Sequence, residues 1–175
     1  MKKLSSYLKG IIPAALLICF LIGCQQQSAP EITEESLQTT LKLVLELWNE
    51  GNFNAADQLY TTDVVRHDYG AMKDFEGLEA QKILVKENRT AFPDLTMTID
   101  ETFFQGNWVA LRWTFTGTNT GPIGDMPPSG NQVQFSGASI VRLEGGKVAE
   151  GWDYYNNYTL LQQLGVIPPQ GEVEE

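Results

Sequence analysis

The side chains best suited to proton transfer lie in two short segments, residues 63–68 and 150–156. His67 is the only histidine, and its imidazole titrates near neutral pH without needing a perturbed pKa. It is therefore a candidate general base, although a lone histidine is also often a structural residue, and both interpretations stay open. The adjacent Asp68 would point to the opposite face of a strand, which argues against a His-Asp pair from these two residues.

The segment that begins at Lys147 alternates like a β-strand and concentrates aromatic and polar side chains on one face. That face would carry Val148, Glu150, Trp152, Tyr154 and Asn156. If it lines a cavity, it provides flat apolar walls and a few polar groups, as small-molecule sites do. Ordinary packing is the alternative. Asp153 is expected on the opposite face unless a β-bulge turns it inward.

Several other kinds of site find no support in the sequence. Phosphate-binding glycine loops, the Gly-x-Ser-x-Gly elbow and His-Glu-x-x-His are absent. The two cysteines, Cys19 and Cys24, both lie near the start of the chain, so a zinc site built from His and Cys is not expected. The formal net charge of −10 repels phosphate backbones and anionic lipid head groups, which makes nucleic acid a poor partner.

The elements that would position the candidate residues follow from the spacing of apolar side chains. Helical spacing predicts helices over residues 34–49, 54–59, 78–91 and 158–164. Alternation predicts strands over residues 95–99, 109–116, 132–143 and 147–155, with turns at Gly106-Asn107 and Gly145-Gly146. Helices followed by a strand meander predict an α+β fold. Residues 116–131, rich in glycine and proline, form either a lid over a pocket or a surface loop.

The first residues have the composition of an export signal. Lysines precede an apolar run over residues 11–22, too short to span a bilayer comfortably, and Leu-Ile-Gly-Cys24 resembles the lipobox of bacterial lipoproteins. We therefore predict a signal peptide over residues 1–23, a lipidated Cys24, a tether to residue 30, a domain over residues 31–169 and an acidic tail over residues 170–175. The protein would reside in the cell envelope, outside the cytoplasm, attached to the membrane through lipid alone. An uncleaved anchor is the alternative.

Segments in a fixed order resemble the SnoaL-like polyketide cyclase and ester cyclase family, within the nuclear-transport-factor-2-like superfamily. They are residues 63–68, 91–95, 109–113, 117–121, 146–152 and 160–165, and the match runs from about Ser36 to Gly165. The resemblance implies a cone in which N-terminal helices pack against a curved antiparallel sheet and enclose an apolar pocket. It also implies an intramolecular aldol ring closure that uses no metal and no cofactor.

The resemblance also identifies two positions that depart from the family. An aspartate four residues after the tryptophan removes a proton next to a carbonyl in the family, and the corresponding residue here, counted from Trp152, is Asn156. Many relatives have a histidine where this chain has Asn119. Amides do not accept protons at ordinary pH, so both positions would lack proton-transfer capacity.

Three functional hypotheses follow. The first is a lipoprotein that binds a small hydrophobic, carbonyl-bearing ligand, with weak or altered cyclase or isomerase activity. The second is an active cyclase that uses His67 as its base. The third is a protein-interaction module that uses the outer face of the sheet, with a homodimer as one form.

These hypotheses assign roles to named residues. The candidate catalytic residues are His67 and Asn156. The candidate ligand-binding residues are Trp48, Arg112, Trp113, Asn119, Trp152 and Tyr154. We predict that the aromatic residues among them are mainly buried and that several line one cavity with Asn156. We also predict that Asn156→Asp raises aldol activity more than His67→Ala lowers it.

Overall fold

The computed structural model of the protein describes residues 32–168. The predicted signal peptide, Cys24, the tether and the acidic tail lie outside the described residues. Within residues 32–168, none of the helices combines the length and the apolar composition that crossing a membrane requires.

The helices begin and end close to their predicted bounds. They are α1 (Glu34–Leu45), which continues into a π-helical turn (Glu46–Glu50), then α2 (Phe53–Leu59), α3 (Leu78–Ala91) and α4 (Asn157–Gln163). A capping box starts α1, because the Thr33 side chain accepts the Ser36 N–H and the Ser36 side chain accepts the Thr33 N–H. The π-helical turn ends at Gly51, whose φ of 68° is readily adopted by glycine.

Six strands form one sheet. They are β1 (Tyr60–Asp68), β2 (Lys73–Glu76), β3 (Thr96–Gln105), β4 (Trp108–Thr118), β5 (Gln132–Glu144) and β6 (Lys147–Tyr155), in the order β2-β1-β6-β5-β4-β3. The α+β prediction is confirmed, but the sheet is mixed rather than wholly antiparallel, because β1 pairs with β6 in parallel. Sequence periodicity did not predict this pairing because its partners are separated by most of the domain.

The main core lies between the helices and the inner face of the sheet. Its buried side chains include Leu47, Trp48, Leu59, Val64, Val85, Phe92, Trp113, Phe115 and Val133. Trp48 and Trp113 are 6% exposed each, as their predicted positions on inward faces require. A smaller cluster of Leu37, Val109 and Leu143 extends the apolar interior.

A β-bulge at Ala149 decides which side chains of β6 point inward. Arg142 pairs with Glu150 while the next residue, Leu143, pairs with Val148, so Ala149 is an extra residue. Alternation resumes after the bulge in the opposite phase. Gly151, Asp153 and Tyr155 face the interior, and Glu150, Trp152 and Tyr154 face outward. The predicted single face of Val148, Glu150, Trp152, Tyr154 and Asn156 is therefore wrong.

Candidate functional site

Two small chambers lie between the helices and the inner face of the sheet. The inner chamber has a volume of about 70 Å³ and the outer chamber about 80 Å³. Both are lined by Trp48, Arg66, Met97 and Trp113, so they adjoin across these side chains. Trp48 and Trp113 thus line both chambers, whereas Asn156, predicted to share a cavity with them, lines neither.

A larger groove adjoins the outer chamber. It has a volume of about 800 Å³, is open on one side, and lies between α3, α4 and the loop over residues 119–131. Asn88, Phe92, Tyr155 and Leu160 line both the groove and the outer chamber. The predicted lid segment lines this groove through Pro122, Ile123, Gly124 and Met126.

A charged pair is buried at the centre of the interior. Arg66 Nε on β1 is in ionic contact with Asp153 Oδ2 on β6, and Asp153 is 4% exposed. The Ser139 hydroxyl donates to Asp153 Oδ1 and accepts a hydrogen bond from Trp113 Nε1 at 2.9 Å. The Arg66 guanidinium also lies over the Trp48 ring, 5.4 Å from its centre. These contacts hold the charges and the two indoles in one arrangement.

A second carboxyl group lies in the outer chamber beside this pair. Asp68 is 8% exposed, and its Oδ1 accepts the Ala71 N–H at 2.8 Å. Burial raises the pKa of the Asp68 carboxyl above its ordinary value. Tyr155 lines the same chamber, and burial together with the negative charge of Asp68 raises the Tyr155 pKa, so the phenol keeps its proton.

The charge of Arg66 is secured by its neighbours. Burial alone would lower the Arg66 pKa, but the negative charge of Asp153, with smaller contributions from Tyr60 and Asp68, outweighs burial and raises it. The outer chamber thus combines a permanent cation with a carboxyl group whose pKa is shifted toward neutral pH. This is a combination that polarises a carbonyl oxygen and accepts a neighbouring proton.

The inner chamber contains an unsatisfied acceptor. Gln81 is 1% exposed, and its Nε2 donates to the Phe75 carbonyl at 3.0 Å. Its Oε1 finds no donor among the described side chains and backbone groups. A buried acceptor of this kind is normally satisfied by water or by a ligand.

His67 lies on the other side of the sheet from both chambers. Its Nδ1 is 3.1 Å from Asp74 Oδ1, its Nε2 is 3.4 Å from Glu150 Oε1, and its ring stacks on Trp152. The alternation of β1 turns Arg66 and Asp68 inward and His67 outward. Partial burial would lower the His67 pKa, but the bonds to Asp74 and Glu150 outweigh burial and raise it. The interpretation of His67 as the base of the cavity is contradicted by this placement.

Three candidate ligand-binding residues also lie on the outer face. Trp152 stacks against Trp108, with ring centres 5.6 Å apart, and Tyr154 is 46% exposed and stacks on Tyr69. Arg112 forms ion pairs at the surface with Asp100 and Glu101. The prediction that Trp152 and Tyr154 line the cavity is wrong because of the bulge, and Arg112 follows the outward phase of β4.

The two asparagines at the positions that depart from the family pattern form hydrogen bonds that stabilise the backbone around them. Asn156 is exposed and caps α4, where its Oδ1 accepts the Thr159 N–H at 3.1 Å. Asn119 is 1% exposed, donates to the carbonyls of Ala91 and Gly121, and accepts the Ser129 N–H. Asn119 therefore holds the 119–131 loop against the end of α3, and neither amide lines the chambers or the groove.

The residues that build the polar centre were not singled out from the sequence. They are Arg66, Asp68, Gln81, Ser139, Asp153 and Tyr155. Only Asp68 and Asp153 were considered, and Asp153 was correctly tied to the presence of a bulge. One feature of the sequence could have indicated this site: Arg66 and Asp68 lie two residues apart, so on a strand their side chains share a face.

The chain is similar to known proteins in sequence and in fold. The family model of SnoaL-like polyketide cyclases matches residues 38–164. Among solved structures, TsrD from Streptomyces laurentii is similar with a TM-score of 0.72 and 26% identity, covering 78% of this chain and 100% of TsrD. AclR, a proposed hydroxylase from Streptomyces galilaeus, has a TM-score of 0.67 and 27% identity over 79% of this chain and 86% of AclR.

A third similar structure is IdmH, a proposed polyketide cyclase from Streptomyces antibioticus. Its TM-score is 0.64 at 25% identity, covering 73% of this chain and 97% of IdmH. Among curated proteins, none matches this sequence significantly.

Proposed function

Because this chain belongs to the SnoaL-like polyketide cyclase family, we propose that it binds a small hydrophobic, carbonyl-bearing ligand and moves a proton next to the carbonyl. The observation that carries the proposal is the meeting of Arg66, Asp68 and Tyr155 between apolar walls in the outer chamber. The activity would be of the cyclase or isomerase type. It differs from the sequence-based hypothesis in using Asp68 rather than His67 or residue 156.

The proposed reaction assigns one role to each group. The Arg66 guanidinium faces the carbonyl oxygen, and the Asp68 carboxylate takes a proton from the adjacent carbon. The electron pair of the broken C–H bond forms a C=C bond, and the carbonyl π electrons move to the oxygen, where Arg66 stabilises the enolate. In a ring closure, the enolate carbon then attacks a second carbonyl of the ligand, and the resulting alkoxide takes back the proton from Asp68. In an isomerisation, a conjugated enolate takes that proton from Asp68 at its distal carbon instead. Tyr155 is a positioning residue because it lines the same chamber as Asp68 and its ring helps to bury the carboxyl group.

Exchange of α-protons for deuterium tests this proposal without knowledge of the natural substrate. The purified protein is incubated in D2O with 2-octanone or 2-tetralone, a linear and a bicyclic ketone, and deuterium uptake is followed by NMR. We expect exchange above the buffer rate with at least one ketone. Asp68→Asn should reduce it by about 100- to 10,000-fold, the range that a general base contributes.

Two variants outside the chambers serve as matched controls. His67→Gln and Asn156→Asp should each leave the exchange rate within about twofold of the parent, since neither residue lines the chambers. Exchange that survives Asp68→Asn but disappears in His67→Gln would instead support the His67 enzyme. Absence of exchange with both ketones in the parent protein would refute the proposed proton transfer.

We further propose that the protein is an exported lipoprotein anchored through Cys24. The support is the apolar run that leads directly into Leu-Ile-Gly-Cys24. Cys24→Ser should release a soluble protein or leave an unprocessed precursor, as seen by membrane fractionation and intact mass. Cys19→Ser, within the same apolar run, should be processed like the parent. Normal processing and membrane attachment of Cys24→Ser would refute the lipoprotein assignment.

A second candidate function is favoured by the outer face of the sheet. Large apolar side chains are exposed there, namely Phe103 at 69%, Tyr154 at 46%, Trp108 at 43% and Ile140 at 42%. Register places Ile140 beside Trp152 on one side and Ala110 on the other, so these side chains form a continuous patch. Exposed apolar patches are typical of protein interfaces. A homodimer through this face is the form we propose.

A further inference from the structure

The interior offers two kinds of space that differ in size. Each chamber, at about 70 to 80 Å³, has room for about two to three water-sized groups at about 30 Å³ each. Sites for drug-sized ligands usually have volumes of about 300–1,000 Å³. The groove, at about 800 Å³, is within that range, whereas the outer chamber, which contains Asp68, is not.

The groove is apolar where it approaches the outer chamber. Its lining includes Ile83, Phe92, Ile123, Met126, Leu160 and Leu161. Lys86 and Glu87 are the charged side chains in its lining, with opposite signs. A ligand in the groove would therefore be recognised through apolar contact rather than through charge.

The polar centre that a ligand would reach from the groove carries an excess of acid. Asp68 and Asp153 face one cation, Arg66, and all three side chains lie within the chamber linings. Asp153 is already in ionic contact with Arg66. A ligand carboxylate at this place would meet Asp68 with no free cation to balance both charges, whereas a neutral carbonyl needs only one donor.

We infer that the ligand is a linear chain with an uncharged carbonyl head, rather than a fused polycycle or a fatty acid. The narrow head enters the outer chamber beside Asp68 and Arg66, and the apolar chain lies in the groove between α3, α4 and residues 122–126. This inference rests on the proposed function, because it concerns the same site. It adds the shape and the charge of the ligand class.

A series of 2-alkanones tests the shape of the ligand. Binding of 2-heptanone, 2-nonanone, 2-undecanone and 2-tetralone to the full-length protein is measured by tryptophan fluorescence, since Trp48 and Trp113 line the chambers. We expect affinity to rise up to about fourfold for each methylene buried in the groove. 2-Undecanone should bind at least tenfold more tightly than 2-tetralone. Equal or tighter binding of 2-tetralone would overturn the inference.

Decanoate tests the charge of the head because it carries the same nine-carbon chain as 2-undecanone. At pH 8 we expect decanoate to bind at least tenfold more weakly than the ketone. Binding of decanoate with equal or higher affinity would contradict an uncharged head.

A pair of variants tests whether the alkyl chain of the ligand lies in the groove. Ile83 is 55% exposed on α3, so Ile83→Glu can be made without disturbing the core. It should weaken 2-undecanone at least tenfold and 2-heptanone much less. Phe103→Glu, on the outer face, is the matched control and should change neither affinity. Equal losses for both ketones in Ile83→Glu, or losses in Phe103→Glu, would overturn the placement.

The outcomes separate this inference from the proposed function. Deuterium exchange that depends on Asp68 but favours 2-tetralone would keep the function and reject the linear chain. Binding of 2-undecanone that appears only after residues 169–175 are deleted would show that the C-terminal tail occupies the groove, and would also reject the linear-chain ligand.

Discussion

At the scale of single residues, the residue type that sequence analysis favours as a catalytic base is not the one that the fold places in the cavity. His67 was singled out because it is the only imidazole, yet β1 turns it outward to Asp74 and Glu150. Its neighbours Arg66 and Asp68 are common residue types, and alternation states only that they share a face. Which face is inner depends on the helices that cover it. The chemistry therefore belongs to the residues on either side of the predicted one.

The ion pair of Arg66 and Asp153 illustrates the same limit. The two residues lie far apart in the chain and meet because β1 and β6 pair in parallel, with Arg66 opposite Gly151 and Asp68 opposite Asp153. Removing one partner of such a buried pair typically costs about 3–5 kcal/mol, since the other charge is left uncompensated. A charge placed at this depth for stability alone gains little over apolar residues, which is consistent with a functional role for the pair.

His67 should make stability depend on pH. Its bonds to Asp74 and Glu150 raise the folded-state pKa above the ordinary 6.5, so the protonated form is favoured by folding. The stabilisation is fully present below about pH 6 and is lost as pH rises through the raised pKa. We expect the melting temperature of the parent to fall more between pH 6 and pH 9 than that of His67→Gln, as measured by circular dichroism. Parallel curves for the two proteins would contradict this assignment.

At the scale of elements, helices and strands with regular local patterns were predicted correctly, but pairings between strands far apart in the sequence were not. The bounds of α3 agree with the prediction because apolar spacing is regular and Pro93 follows its end. The strands β3 to β6 were recognised by alternation, and β2 was missed because it spans only residues 73–76. The bulge at Ala149 has no local signature, since Val148, Ala149 and the residues after them suit either phase. Because of this one extra residue, Asp153 rather than Trp152 faces the cavity.

A glycine on β5 gives Trp113 its position in the cavity wall. Gly137 pairs directly with Trp113, and a Cβ at residue 137 would lie 2.3 Å from the indole ring. Gly137→Ala should therefore displace Trp113 and reduce the free energy of unfolding by about 1–3 kcal/mol, as overpacking does. Urea denaturation and the tryptophan emission spectrum measure the two effects. Ala138→Ser, on the outward face of the same strand, is the control, and equal stability of Gly137→Ala and the parent would contradict the contact.

At the scale of the whole molecule, the sheet separates two surfaces with different chemistry. Its inner face and the helices enclose the chambers and the groove, where Arg66, Asp68 and Asp153 lie among apolar walls. Its outer face carries stacked aromatic rings, in which His67, Trp152 and Trp108 follow one another across the strands. Because β-strands alternate, side chains on one face can change without altering the other. A ligand and a protein partner could therefore be bound at the same time.

This separation leads to a prediction about the homodimer. Ile140 is 42% exposed at the middle of the outer face, where a lysine would be desolvated without a partner if two copies packed together. In sedimentation velocity at micromolar concentration we expect the parent to be a dimer and Ile140→Lys a monomer, with unchanged α-proton exchange. Ile83→Lys, at a residue that is 55% exposed on the groove side, should remain a dimer. A monomeric parent would reject the homodimer, and a dimer that persists in Ile140→Lys but dissociates in Ile83→Lys would place the interface on the helices, where it would compete with the ligand.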